Sequence, residues 1–294
     1  MKRTLIAGAV AALLALPALA SQVPAGTKLL PAEQQTFIRN IGTEPASIDP
    51  QMVEGTAGSA LVTDLFEGLY TLDGDGKLQA AGALGYELDD SGTVYTFKLR
   101  PDAKWSNGEP VTAADYVYGW QRAADPKNAS NYAWFIELTG VTNASDVVQG
   151  KKSPDALGIK ALDAHTLQIT LKNPVPFFLK TLSHYTTFPA PRATIEKFGH
   201  EWVKPGNIVS NGAFVLKEWT PNERLIAERN PYYWDNQHTV LNKVLYLEIV
   251  SDTAAYNRYR AGELHYTSYP LEQYKQLKQQ SPQELVSVPT LATY

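Results

Sequence analysis

The chain has 294 residues, of which 44% are hydrophobic and 19% are charged, so it can bury a sizeable core over more than one ordinary domain. It contains no cysteine, which excludes a disulfide framework and thiolate chemistry at a metal or redox centre. The formal net charge is −4 and no basic block occurs, which argues against a nucleic-acid partner because phosphate binding needs clustered Lys and Arg.

The N-terminal residues have the pattern of a secretory signal peptide. Lys2 and Arg3 precede an apolar run over residues 5–16, and a small-x-small triplet follows at residues 18–20. The run is shorter than the roughly 20 residues that span a bilayer, which favours a cleaved signal over an uncleaved anchor. We predict cleavage after Ala20. Because no lipoprotein cysteine follows, the mature protein is predicted to be free in the periplasm.

The chain after the signal predicts a strand, a helix and then a run of β-hairpins. Residues 36–41 are predicted to form the strand, and residues 59–69 place apolar side chains on one side of a helix. Short alternating segments on either side of Asp-containing turns predict hairpins. These hairpins lie at residues 70–78, 86–99 and 158–171.

A further helix is predicted between the last two hairpins. Thr112 and Asp115 form a capping-box pattern that marks its start. Its apolar face consists of Tyr116, Val117 and Trp120.

The second half of the chain begins with a proline-rich stretch at residues 173–192, which predicts a boundary between two lobes. Shorter elements follow it. Strands are predicted at residues 213–216, 225–228 and 244–249, and helices at 194–198, at 252–259 with Asp252 as the cap, and around 271–277.

The sequence lacks the patterns that mark common catalytic and metal sites. The five histidines are scattered, and neither an HExxH metal motif nor a GxSxG nucleophile motif occurs. The stretch Asp73–Gly76 resembles the start of a calcium loop but lacks the later acidic ligands, so a hairpin turn is predicted there. We therefore predict no catalytic residues, no metal and no cofactor.

The aromatic content indicates binding instead. The chain has 16 tyrosines and 6 tryptophans, whose rings both pack and donate hydrogen bonds. Most such rings are core residues. The clusters at residues 132–135 and 232–234 nevertheless fit a cleft that accepts varied side chains.

Several stretches together resemble the family 5 extracellular solute-binding proteins. The longest is Leu88–Trp120, which includes the turn Trp105–Gly108. The resemblance runs from about Gln35 to Tyr294 and is greatest to the branch that binds oligopeptides and murein peptides. The other matching stretches are Glu44–Pro50, Asp64–Leu69, Gly206–Phe214, Asn230–Asp235 and Arg258–Glu263.

The resemblance implies an α/β, periplasmic-binding-protein-like fold, with mixed sheets, flanking helices and a ligand cleft between lobes. The implied division is a signal peptide at 1–20, the first part of lobe I at 21–66, lobe II at 67–191, and at 192–294 the second part of lobe I with the start of the strand that leads to a third lobe. Members of this branch have a third lobe, and we expect this chain to end where that lobe begins. The acidic partner of the ligand's α-amino group is expected in that absent part.

The resemblance also implies the ligand-binding residues. Glu54, Gly55 and Thr56 match the lobe I stretch that lines the cleft, and Tyr132 matches a lobe II tyrosine that reaches the ligand. Ser268 falls near another family contact. The strand that runs beside the peptide is matched by Thr290, Ala292 and Tyr294.

The implied function is capture of short peptides by a monomer in the periplasm and their delivery to an inner-membrane ABC permease. Three alternatives stay open from the sequence. The same fold can take a murein tripeptide, a dipeptide, or a nickel or haem complex. The chain can also be an exported cell-wall hydrolase, or a truncated product that is inactive or acts as a holdase-like chaperone.

Overall fold

The computed structural model describes residues 28–286, so the predicted signal peptide lies outside the described residues. The described chain contains three β-sheets with helices around them, which confirms the mixed α/β architecture. The strands are β1 Thr36–Asn40, β2 Tyr70–Leu72, β3 Leu78–Ala80, β4 Ala83–Leu88, β5 Val94–Leu99, β6 Ile159–Asp163, β7 Thr166–Thr170, β8 Phe214–Thr220, β9 Arg224–Arg229 and β10 Lys243–Leu247. The helices are α1 Gly55–Leu65, α2 Ala113–Ala124, α3 Ala133–Leu138, α4 Ala144–Val148, α5 Phe178–Thr181, α6 Arg192–Phe198, α7 Asp252–Arg260 and α8 Tyr274–Gln280.

The first sheet joins strand β1, near the start of the described chain, to three strands from its second half. Its strand order is β1-β10-β9-β8, with β1 parallel to β10 and the other pairs antiparallel. Beyond β1, the Asn40 N–H donates to the carbonyl of Tyr266 at 3.0 Å, and the His265 N–H donates to that of Ile38 at 2.8 Å. The segment around Tyr266 therefore lies beside β1 on the side opposite β10.

The second sheet confirms the predicted hairpins. Its order is β4-β5-β7-β6 and every pair is antiparallel. The third sheet is the small β2-β3 hairpin, whose turn is closed by the Asp73 carboxylate accepting from the N–H groups of Asp75 and Lys77 at 2.9 Å. These turns depend on residues close together in sequence, which is why the sequence predicts them well.

Helix α2 begins as its capping box predicts. The Thr112 N–H donates to the Asp115 carboxylate at 2.7 Å. Tyr116 and Trp120 are fully buried, and the Trp120 indole donates to the carbonyl of Thr187 at 2.9 Å. The proline-rich stretch is thereby packed against α2 within the same core cluster as both larger sheets. The division into lobes stays a prediction.

Helix α6 begins at Arg192 rather than at residue 194, and helix α8 runs from Tyr274 to Gln280 rather than around residues 271–277. Two further boundaries differ from the prediction for an identifiable reason. Helix α1 runs from Gly55 to Leu65 rather than over residues 59–69, because the Leu65 carbonyl accepts from the Gly212 N–H at 2.8 Å and Phe66 is extended. A Cβ on Gly212 would lie 2.6 Å from the Leu65 carbonyl carbon, so only glycine allows this approach.

The other boundary concerns α7. Its cap is Ser251, whose hydroxyl accepts from the Ala254 N–H at 3.3 Å, and Asp252 is the first helical residue. The sequence prediction also missed the three short helices α3, α4 and α5, whose apolar repeats are too brief to show a helical period.

A buried ion pair links the segment before α1 to helix α2. The guanidinium of Arg122 donates to both oxygens of Asp49, at 2.7 and 2.5 Å, and the two side chains are only 10% and 6% exposed. The Trp202 indole donates to the same carboxylate at 3.0 Å, as does the Gln51 N–H. The Gln51 side chain in turn donates to the Phe188 carbonyl at 3.1 Å. Residues far apart in sequence thus share one carboxylate.

A second polar cluster holds the loop after β9 against the chain that leaves α1. The Tyr233 hydroxyl and the Trp234 indole each donate to the Glu67 carboxylate at 2.6 Å. The Arg100 guanidinium lies 3.5 Å from the centre of the Trp234 ring. Burial raises the pKa of the Glu67 carboxyl to about 7, although the hydrogen bonds from Tyr233 and Trp234 oppose the shift. Tyr233 and Trp234 therefore connect the loop after β9 to the segment that follows α1.

We predict that Arg122→Met lowers the free energy of unfolding by about 3 kcal/mol, because it leaves the Asp49 carboxylate buried without its counter-charge. Urea denaturation followed by tryptophan fluorescence measures the change. The control is Arg192→Met, which breaks an i,i+4 pair with Glu196 whose side chains are 65% and 56% exposed. That change is expected to cost less than about 0.5 kcal/mol. Equal losses in the two variants would contradict a structural role for the buried pair.

Candidate ligand-binding site

The N-terminus of α1 presents three of the predicted ligand-binding residues together. Gly55 has a φ of +73°, a left-handed conformation that favours glycine, and this bend exposes Glu54 and Thr56 on either side of it. The Glu54 side chain makes no capping hydrogen bond to the helix. Instead its carboxylate accepts from the side-chain amide of Asn131. The Glu54 carboxylate is thereby held beside the N-terminus of α1 and does not cap the N–H groups of the helix.

The segment that carries Asn131 and Tyr132 is fixed by the chain just before α1. The Ser130 hydroxyl donates to the carbonyl of Gln51 at 2.6 Å and accepts from the Tyr132 N–H at 3.2 Å. Gln51 also binds the buried Asp49–Arg122 pair, since its side-chain oxygen accepts from Arg122 at 3.1 Å. The ion pair therefore sets the position of Tyr132 relative to Glu54.

The Tyr132 ring belongs to an aromatic cluster. Its centre lies 5.5 Å from that of His184 and 5.8 Å from that of Tyr185, and His184 also stacks on Phe135 at 4.0 Å. Burial raises the pKa of the Tyr185 phenol, and the nearby Tyr132 hydroxyl and Glu54 carboxylate raise it further. Burial lowers the pKa of His184 to about 4, so its imidazole is neutral at pH 7.

Two grooves meet at α1. The first, called the polar groove, lies between the end of β1 and the segment around Tyr266. Its lining is Arg39, Asn40, Ile41, Gly42, Thr43, Thr56, Ala60, Tyr266 and Ser268. The second, called the aromatic groove, lies on the other side of the helix. Its lining is Thr56, Ser59, Ala60, Thr63, Leu72, Phe135, Phe177, Lys180, Thr181, Ser183, His184 and Tyr185. Thr56 and Ala60 line both grooves, so the two adjoin at the first turns of α1.

Ser268 lies across the polar groove from Thr56, and its hydroxyl donates to the Asp252 carboxylate at 2.6 Å. It also lines a separate cavity between α7 and α8, which includes Tyr256 and Tyr259. The structure thus brings Glu54, Gly55, Thr56 and Tyr132 into one region and places Ser268 at its far wall. The predicted residues Thr290, Ala292 and Tyr294 lie outside the described residues.

Sequence reasoning missed several residues of this region. Asn131 and Ser130 immediately precede the predicted Tyr132, but no local pattern reveals that one reaches Glu54 and the other reaches Gln51. His184 and Tyr185 lie in the stretch that the prolines mark as a boundary, and only the fold brings their rings to Tyr132. Of the aromatic cluster at residues 132–135, Phe135 lines the aromatic groove, whereas residues 232–234 line neither groove.

The described residues limit the other chemistry that this region can support. Within residues 28–286, no group of three or more His, Asp or Glu side chains could hold a metal ion. None of the helices in the same part of the chain is long and apolar enough to cross a membrane. What the region offers is a carboxylate, main-chain groups at a helix N-terminus, hydroxyls and aromatic walls.

Comparison with known proteins gives a consistent result. The family model "Bacterial extracellular solute-binding proteins, family 5 Middle" matches residues 77–294. The chain is 49% identical to the periplasmic oligopeptide-binding protein OppA of Escherichia coli, over 100% of this chain and 54% of that protein. It is 44% identical to the periplasmic murein peptide-binding protein MppA of the same organism, over 94% of this chain and 51% of that protein.

A solved structure extends the likeness to three dimensions. Haemophilus influenzae OppA in complex with the peptide RPPGFSPFR matches with a TM-score of 0.81 and 42% identity, over 84% of this chain and 48% of that one. The chain spans about half the length of the curated relatives that it matches. The resemblance seen in the sequence is confirmed.

The neutral His184 predicts a pH dependence of stability. The pKa is about 4 in the folded state against an ordinary value of 6.5, so the unfolded chain binds the extra proton between these values. We expect His184 to contribute on the order of 2 kcal/mol to the free energy of unfolding above pH 6.5, and this contribution to be lost as the pH falls from about 6.5 to about 4.

Denaturation at a series of pH values, with His184→Asn beside the unmodified chain, measures this effect. The Asn carbonyl can still accept from the Thr186 N–H, as the imidazole does at 3.3 Å, but Asn does not titrate. The variant is expected to be less stable at pH 7 because it loses the ring stacking, and to lose less stability between pH 6.5 and pH 4. Parallel pH curves for the two proteins would show that His184 is not the titrating group.

Proposed function

The chain belongs to the family 5 bacterial extracellular solute-binding proteins, and we propose that it captures oligopeptides in the periplasm and delivers them to an ABC importer. The observation that supports this most is the junction at the start of α1. There the Asn131 amide, next to Tyr132 in the chain, donates to Glu54 from a distant segment, and Thr56 in the first turn of the helix lines both grooves.

The chemistry of this junction suits a peptide main chain. A peptide presents regular N–H donors and carbonyl acceptors whatever its sequence, so a receptor can bind the main chain and leave the side chains in roomy grooves. The first N–H groups of α1 have no partner within the helix and can donate to a peptide carbonyl. The Glu54 carboxylate, already oriented by Asn131, can accept from a peptide N–H. The Tyr132 hydroxyl adds a further donor or acceptor.

Ligand capture is proposed to involve closure of lobes around the peptide. The lobe division at residues 66/67 and 191/192 places the Asp49–Arg122 pair between lobe I and lobe II, which would keep these two lobes together during closure. Closure must be driven by contacts that exist only in the closed state, because a ligand shifts an equilibrium only by its differential affinity. The closed form would then be the one that docks on the inner-membrane permease as a monomer.

A murein tripeptide is the second candidate ligand. It is favoured by the 44% identity to a murein peptide-binding protein, and it also offers amide N–H and carbonyl groups to Glu54 and Tyr132. A role in cutting such peptides receives no support from the junction. In the described residues, His184 is flanked by the rings of Phe135 and Tyr185 rather than by a nucleophile. We therefore propose binding without catalysis.

We predict that a mixture of tripeptides to pentapeptides raises the melting temperature of the protein, since a ligand that binds only the folded state stabilises it. Tyr132→Ala is expected to lower the peptide affinity about tenfold in isothermal titration calorimetry, because a buried aromatic contact is lost. The control is Tyr232→Ala, a tyrosine 45% exposed and outside both grooves, which should change the affinity by less than about twofold.

The outcomes separate the candidate ligands. Binding of murein tripeptide but not of the peptide mixture would assign the second ligand class. Unchanged affinity in Tyr132→Ala, or an equal loss in Tyr232→Ala, would contradict the placement of the ligand at the junction. Absence of any thermal shift with either class would contradict a peptide-binding function.

A further inference from the structure

We propose that the contact of Glu67 with Tyr233 and Trp234 is a proton-binding latch, which holds the loop at residues 231–235 more firmly at pH 6 than at pH 8. The latch is a property of the chain without a ligand. One consequence rests on the proposed function, because the lobe division places Glu67 in lobe II and the loop in lobe I. Mild acid would then tie these two lobes together.

The latch consists of two hydrogen bonds from neutral donors of the loop. One oxygen of the Glu67 carboxylate accepts from the Tyr233 hydroxyl and the other from the Trp234 indole, each at 2.6 Å. The main chain of Glu67 is held separately by the side chain of Asn211. The Glu67 N–H donates to the Asn211 side-chain oxygen at 3.1 Å, and the Glu67 carbonyl accepts from the Asn211 amide at 2.9 Å. The loop can therefore lift away while the main chain of Glu67 stays in place.

The cation that faces this carboxylate is engaged elsewhere. The Arg100 guanidinium lies 3.5 Å from the centre of the Trp234 ring, and its Nε donates to the Ala81 carbonyl at 2.6 Å. Its positive charge favours the ionised form of Glu67, but less strongly than the hydrogen bonds from Tyr233 and Trp234 do. The carboxylate thus relies on neutral donors, which leaves it able to bind a proton near neutral pH.

Two other titratable side chains face the Glu67 carboxylate. Asp235, in the same loop, raises the pKa of Glu67 by its negative charge. The Tyr116 phenol of α2 is neutral at pH 7, because burial and the charge of Glu67 raise its pKa. Asp235 in turn contacts the ring of His238. His238 is therefore the further group in this loop whose titration the experiment must separate from that of Glu67.

The direction of the pH effect follows from the exposure of Glu67 on opening. In the latched state the pKa is about 7, because burial outweighs the hydrogen bonds, whereas the ordinary value is 4.5. When the loop lifts, water reaches the carboxyl group and its pKa returns towards the ordinary value. Between these two values, the latched state holds a proton that the open state releases, so falling pH opposes opening. The population of the open loop is expected to fall about tenfold from pH 8 to pH 6.

Amide hydrogen exchange of the whole chain, followed by mass spectrometry at pH 8 and pH 6, tests the latch. The rates are divided by the intrinsic exchange rate at each pH, and a peptide covering residues 231–236 reports on the loop. That peptide includes the Asn236 N–H, which donates to the Tyr233 carbonyl at 3.0 Å. We expect its protection to rise about tenfold at pH 6 and to stay below that of β5, as local opening requires.

Three variants assign the proton. Glu67→Gln has no titrating group and should reduce the pH effect on loop protection to less than about twofold. The matched control is Glu109→Gln, an exposed carboxyl beside the turn Trp105–Gly108, which should keep the tenfold effect. Tyr233→Phe leaves Glu67 unaltered but removes a hydrogen bond that lowers its pKa, so the midpoint of the pH effect should move to higher pH.

The contrary outcomes are equally specific. A tenfold effect that persists in Glu67→Gln would assign the proton to another group, such as His238, and would overturn the inference. Equal protection of the loop and β5 at both pH values, or no pH effect in the unmodified chain, would overturn it as well. No peptide ligand is used, so these failures leave the proposed function standing. Failure of peptides to bind would remove only the consequence for the lobes.

Discussion

The structure depends on the buried pair of Asp49 and Arg122. Two charges with so little exposure are stable only when their remaining hydrogen-bonding groups also have partners. Here the Trp202 indole and the main chain of Gln51 donate to Asp49, and the side-chain oxygen of Gln51 accepts from Arg122. Its importance lies less in net stability than in position. The pair fixes the short segment between β1 and α1 against α2, and the rest of the candidate site is built on that segment.

A series of hydrogen bonds connects this ion pair to the candidate site. The Gln51 carbonyl accepts from the Ser130 hydroxyl, and that hydroxyl accepts from the Tyr132 N–H. The neighbouring Asn131 amide donates to the Glu54 carboxylate. The aromatic cluster then packs beside Tyr132 and lines the second groove. Glu67 performs a related task elsewhere, because its carboxylate joins the chain leaving α1 to the Tyr233 and Trp234 loop. Buried polar groups thus connect segments, and the polar residues at the N-terminus of α1 stay exposed.

The sequence predicts those features that arise from neighbouring residues. The Asp73 turn, the β4-β5 hairpin and the capping box of α2 each depend on contacts over a few residues, and all three are present. The sequence predicts the end of α1 four residues too late. The helix ends at Leu65 because the Leu65 carbonyl accepts from the N–H of Gly212, which is distant in the sequence.

The candidate site follows the same division. Glu54, Gly55, Thr56 and Tyr132 were proposed only through the family resemblance, since no local pattern joins residues 54 and 131, which are 77 positions apart. Long-range contacts, not composition, therefore define the candidate site.

A crystal structure of the protein with a bound tripeptide tests the central claim most directly. The claim is that the segment held by Asp49 and Arg122 presents the N-terminus of α1 and Tyr132 to a peptide main chain. We expect peptide main-chain atoms within hydrogen-bonding distance of Glu54 or Thr56 and of Tyr132, with the Asp49–Arg122 pair intact. A peptide bound instead in the cavity near Tyr256 and Tyr259, without contact to these residues, would contradict it.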